Sequence, residues 1–512
     1  MTRARRWWAA GIGLAVIVAI AVASVVVYRW QLPRVREKLV QILSDELGAK
    51  VELADLQVGF GRQVQVVGRG LVLHHKSAPA DVPPLVRIDR FSISVPAVQA
   101  FRKPVEITAV ELEKMEIFIP RRTRPEDERV AGRRITGPSP VVIRELRTID
   151  ATLSIQSGKP DRPPRTFAIH DLRLRDAAFD QAVQFDARLT NPKPTGEIQT
   201  AGSFGPWVAD EPSETPLEGE YTFDDADLST IKGIAGLLDS TGRFSGTLDQ
   251  IDVKGTTTTP DFGLDIGGMP LKLDTTYVAL VDGTNGDTIL HDVAAVLGET
   301  PITAKGGVVH TPGRKGRTVI LEAAIEKGRL HDILRLALDD APPPMNGQIT
   351  LRSTVNLPPG EPRVVDRLEL DGEFTIAGLR FASDLVQDKV DEFSRRGQGR
   401  PEDEDIQNVA SLMRGRYQLK NGVLRFRQLR FGVRGATVQL NGQYVLKGGA
   451  LDFRGTVRLD ARASQTMTGW KSWVTKVFDP LLAKDGAGTV LPIKVTGTAK
   501  EPKFGVEVKK IF

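Results

Sequence analysis

Apolar residues recur at every second position along most of this chain. The pattern holds over parts of residues 50–60, 64–74, 85–95 and 105–119, and returns from Thr166 onward. A period of two belongs to a β-strand with one face buried and one face wet. The strongest alternation lies at 347–355, 368–381 and 417–459, with a closing pair at 490–498 and 504–508. Lys420-Asn421-Gly422, Leu440-Asn441-Gly442 and Lys447-Gly448-Gly449 read as tight turns of a meander. Gly (49) and Pro (32) supply such turns, and the absence of cysteine excludes a disulfide framework, a thiolate metal site and a thiol nucleophile. The expected class is mainly β, held by backbone pairing and packing alone.

One stretch departs from the alternation. Residues 7–28, WWAAGIGLAVIVAIAVASVVVY, carry no charge. As a helix they would reach ~33 Å, enough for a ~30 Å hydrocarbon layer. Trp7 and Trp8 at one end, and Tyr28 and Trp30 at the other, suit the aromatic belts of a membrane anchor. Arg5 and Arg6 precede it and predict a cytoplasmic tail at 1–6, with everything after the span exported. A cleaved signal peptide is the competing reading, because Ala21-Val22-Ala23 has the small-x-small pattern of a cleavage site; the length of the apolar run favours the anchor.

Short helices are expected beside the strands. Residues 34–47 put Val35, Leu39, Ile42 and Leu47 at helical spacing, which suits a core helix and a membrane-surface or end-capping helix equally. Further helical signals lie at 230–238 and 326–338, twice within 383–415, as stripes Leu385, Val390, Phe393 and Ile406, Val409, Met413, and at 464–483, where Trp470 and Trp473 sit. Residues 121–134 and 158–165 read as exposed loops. Pro/Gly/Ser linkers do not recur every ~100 residues as serial sandwich domains require, so one long sheet is expected. If that antiparallel sheet is elongated and curled, its concave side is an open apolar groove. Leu368, Leu370, Phe374, Leu424, Phe426, Phe431, Val438 and Leu440 would line it. The same alternation serves a filled core.

Little in the chain points to catalysis. The formal charge is +5, from 69 basic and 64 acidic residues, so no polyanion footprint is expected and nucleic acid is not an expected partner. His74, His75, His170, His291, His310 and His331 form no paired ligand spacing. Residues 282–287, DGTNGD, read as a hairpin turn, because their oxygen donors lack the spacing of a calcium loop. There is no nucleophile elbow, phosphate-cradling loop or dinucleotide fingerprint. Neither an enzyme nor a cofactor is expected.

The apolar span, the segment LSDELGAKVELADLQVGF with the following GRGLVLHHK, and the later LEGEYTFDDADLSTIKGIAGLLDSTGRFSGTLDQI, VDGTNGDTILHDV, RGQGRPED and LPIKVTGTAKEPKFGVEVKKIF resemble the AsmA-like family, akin to TamB- and YhdP-type proteins. The resemblance implies an inner-membrane anchor, single-pass with the N-terminus cytoplasmic, and a periplasmic β-groove in two segments. Residues 29–200 would form the N-terminal segment with its membrane-proximal helix, and 201–512 the C-terminal segment with capping helices. It implies binding and transfer of membrane phospholipid towards the outer membrane, with no catalytic residues. The second functional reading is an envelope assembly scaffold that acts through protein contacts.

Overall fold

The computed structural model describes residues 50–461 apart from short intervals, of which 120–140 is the longest, together with 489–498, 501–506 and four positions between Glu37 and Ser44. The anchor expected at 7–28, with Arg5, Arg6, Trp7, Trp8, Tyr28 and Trp30, lies outside the described residues. So do the loop at 121–134, nearly all of 158–165, and the helix expected at 464–483.

The alternating segments are strands. Among the described residues 24 of them hydrogen-bond into one long open sheet, and the chain divides into two compact units.

The first unit begins with β1 (Val51–Gly59), β2 (Gln63–Leu73), β3 (Val86–Pro96), β4 (Val105–Ile119) and β5 (Val141–Ile155). It continues through β6 (Arg165–Ala177), β7 (Val183–Pro192), β8 (Thr195–Phe204) and β9 (Pro216–Asp227). Each strand pairs with the next, antiparallel except at one step: β4 and β5 run parallel. The antiparallel expectation is corrected there. Parallel neighbours need a connection of a dozen or more residues, and residues 120–140 supply that length.

The apolar face from β1 to β6 is filled by its own side chains. Phe91, Ile107, Ile143 and Leu174 are essentially inaccessible at the centre of one continuous core. Glu37, Val40, Gln41 and Ser44 are helical; Val40 packs on this core, and the Val51 N–H donates to Ser44 Oγ at 3.3 Å. The described part of the helix expected at 34–47 is therefore a core helix of this unit.

Four strands, β10 (Ile234–Ala235), β11 (Leu237–Thr247), β12 (Gln250–Leu264) and β13 (Gly267–Val281), divide between the units. A helix was expected at 230–238. The chain instead makes one 3-10 turn, Leu228–Thr230, and then strands, with Gly233 and Gly236 at φ of 101° and 125°, which no helix accommodates.

The second unit contains β14 (Thr288–Leu297), β15 (Thr300–His310), β16 (Arg317–Arg329), α1 (Leu330–Ala337), β17 (Met345–Leu357), a helical turn (Val364–Arg367) and β18 (Glu369–Phe381). After α2 (Asp384–Gly397) come β19 (Ser411–Lys420), β20 (Val423–Val433), β21 (Ala436–Val445), β22 (Ala450–Leu459), β23 (Thr489–Thr498) and β24 (Pro502–Val506). From β14 to β24 every neighbouring pair is antiparallel.

Three local expectations change here. Residues 326–329 finish β16 and do not open the helix. The second helical signal of 383–415 is irregular through Ile406 and Val409, and Met413 belongs to β19. Leu440-Asn441-Gly442 lies within β21; the turn is at Gly448-Gly449.

Candidate functional site

Register places seven of the eight expected groove residues on one face. Leu370, Leu419, Leu424, Tyr444 and Leu451 stand opposite one another across β18 to β22. The next row runs Gly372, Tyr417, Phe426, Gly442 and Phe453. Further along the strands come Leu429 opposite Leu440, and then Ile376, Met413, Phe431, Val438 and Val457. Leu368 is the exception. It closes the helical turn before β18 and has no ladder partner.

Phe426 and Phe431 are five residues apart, so an unbroken strand would turn them to opposite faces. A bulge between Phe426 and Leu429 restores the match, with Gln428 at φ 59°. The Gln428 N–H, released from the ladder, donates to Asn441 Oδ1 at 2.8 Å. A second bulge, between Ile376 and Leu379 in β18, keeps Leu379 with Phe374 and Ile376.

The rings touch across the strands. Phe374 lies 6.2 Å from Tyr417 and 6.3 Å from Phe426, and Phe426 lies 5.9 Å from Phe453, all tilted or edge-on as aromatic quadrupoles prefer. Gly442 leaves room for them: a Cβ there would come within 2.7 Å of the Phe453 ring. Burial raises the Tyr417 hydroxyl pKa above its ordinary value, against a Ser353 hydrogen bond that lowers it; the Asp371 charge adds to the rise.

Helices pack at one rim of this face. Leu330, Ile333 and Leu334 of α1 join Ile325, Ile349, Ile376 and Leu379 in a small core. α2 is held at the same strand ends by Ser394 Oγ, which donates to the Arg434 carbonyl at 2.9 Å. Beyond this rim Leu370, Phe374, Tyr417, Leu424, Phe426 and Leu440 remain half-buried. In the same rows Leu419 and Phe453 are buried.

The two concavities described here both open on polar faces. One, of about 810 Å³ in the first unit, mixes Asp171, Asp186 and Glu220 with Arg188 and Arg243. The other, of about 580 Å³ in the second unit, backs onto the aromatic rows and is rich in arginine.

His74 lies 3.3 Å from Glu52, and His170 lies 2.7 Å from Thr190 and 3.6 Å from Glu197. Among the described residues no group of three or more His, Asp or Glu is placed to hold a metal, and no helix is long and apolar enough to cross a membrane. Compared with known protein families, curated proteins and solved structures, the chain matches none.

Proposed function

We propose that the second unit holds the acyl chains of membrane phospholipid against its aromatic rows, and that the protein, tethered to the inner membrane, carries such lipid towards the outer membrane. The supporting observation is an apolar face in continuous register from β18 to β22 on which Leu370, Phe374, Leu424, Phe426 and Leu440 are half-buried, beside buried Leu419 and Phe453. Apolar surface left in water is unfavourable by roughly 25 cal/mol per Å². A flexible acyl chain can cover it without directional bonds, so it can slide. No bond-making chemistry is required.

Native mass spectrometry of the detergent-extracted protein tests this. The wild type is expected to retain phospholipid, and Phe426→Asp to lose it while keeping the β circular-dichroism signal. A clean apo mass for the wild type, or lipid retained unchanged by the variant, would overturn the reading.

A further inference from the structure

Of the strands that bear the aromatic rows, β18 carries Glu369, Asp371 and Glu373 on its other face, whereas β19, β20 and β22 carry cations there. From β19 to β23 nine arginines and lysines stand against a single carboxylate, Asp452. The whole chain has an excess of only five positive charges. Register sets like charge against like: Arg414 is directly opposite Arg430, and Arg416 opposite Arg427. Such pairs destabilise a ladder. The β20 bulge produces the first of these pairs, since without its extra residue Arg430 would turn to the aromatic side.

Some of these charges are met by neighbours. Lys420 lies 2.8 Å from Glu369, and that hydrogen bond, with a second from Asn356, holds the Glu369 carboxyl below the usual carboxylate range. Arg352 lies 3.1 Å from Glu326, and Arg416 lies 3.6 Å from Glu373. Among the described residues Arg414, Arg427 and Arg430 have no carboxylate partner. Arg352, Arg414, Arg416 and Arg430 line the concavity of about 580 Å³, together with one carboxylate, Glu373, and the amides of Gln428, Gln439 and Asn441. Asn441 Oδ1 is already engaged by the Gln428 N–H, so its NH₂ group is left to donate.

We propose that this concavity binds a phosphate-bearing anion, with the Arg414 and Arg430 guanidiniums donating to the phosphoryl oxygens. Its volume is that of a small-molecule site. Guanidinium forks match phosphate in geometry, and a dianion converts two repelling cations into a bridged pair. The site is on the opposite face from the aromatic rows and does not depend on the acyl-chain reading. Its phosphate can belong to a free phosphorylated molecule or to a lipid headgroup.

Thermal melting of the full-length protein in detergent separates the outcomes, with pyrophosphate as one probe and dihexanoyl phosphatidic acid as the other. The wild type should gain saturable stability from pyrophosphate beyond that given by sodium chloride at equal ionic strength. R414Q/R430Q should bind it at least tenfold more weakly, since each lost charge-assisted hydrogen bond is worth about tenfold. Without probe this variant should melt no lower than the wild type, because it removes a repulsion. Arg458→Gln, on the same face outside the concavity, should bind normally. Stabilisation by the lipid probe alone, lost in R414Q/R430Q, assigns the phosphate to a headgroup. If neither probe has an arginine-dependent effect, or sodium chloride matches pyrophosphate, the site does not exist.

Discussion

At the scale of single residues, the second unit is pinned by polar side chains where the sequence suggested apolar ones. Leu385, Val390 and Phe393 were the expected stripe of α2. Leu385 is instead 76% exposed, while Gln387, Asp391 and Ser394 are buried beside Val390. Asp391 accepts hydrogen bonds from the Asn408 and Val409 N–H groups at 2.8 and 2.9 Å and from Gln387 Nε2 at 2.8 Å. It thereby anchors the irregular segment that leads into β19. Asp391→Ala leaves two backbone donors unpaired and should lower the stability of this unit by ~3 kcal/mol. Hydrogen exchange would show it first, as faster exchange of the 408 and 409 amides. Nothing in the sequence marks this network, because its partners are backbone groups brought close only by the fold. The phase change in LRFRQLRF was readable: Phe426 and Phe431 share a face only if one residue is extra.

At the scale of elements, the strands were legible and the helices much less so. The first four expected strands match β1 to β4 to within about a residue at most ends, because each buries one clean face. Turn chemistry was legible where glycine or asparagine must adopt positive φ. Asn421 and Gly422, at φ 53° and 68°, close β19 onto β20 with Lys420 opposite Val423. Gly422→Val should destabilise this hairpin by about 1–2 kcal/mol, the cost of a left-handed backbone for a residue with a Cβ, and should lower the urea midpoint of the unit accordingly. The helix expected at 230–238 is turn and strand, and the one expected at 326–338 begins only at Leu330, because short apolar runs fit both periods and neighbouring strands decide between them.

At the scale of the molecule, the two units use the same alternation for different ends. One face is packed solid from β1 to β6; the other, from β18 to β22, mixes half-buried side chains with buried Leu419 and Phe453. A two-residue period names the apolar side of a strand and not what covers it, so this difference was not legible. Hydrogen–deuterium exchange on the whole protein should rank β2 to β5 as the slowest segments and β20 to β22 as markedly faster, the opposite order being evidence against an unfilled face.

Within each unit, nearly every strand leans only on its sequence neighbours. A sheet paired in that order has no ring to complete, so no fixed number of strands satisfies it. A hairpin added or deleted between two antiparallel neighbours would preserve the side of every other residue. The reach of such a protein can thus be tuned two strands at a time without redesigning its remainder.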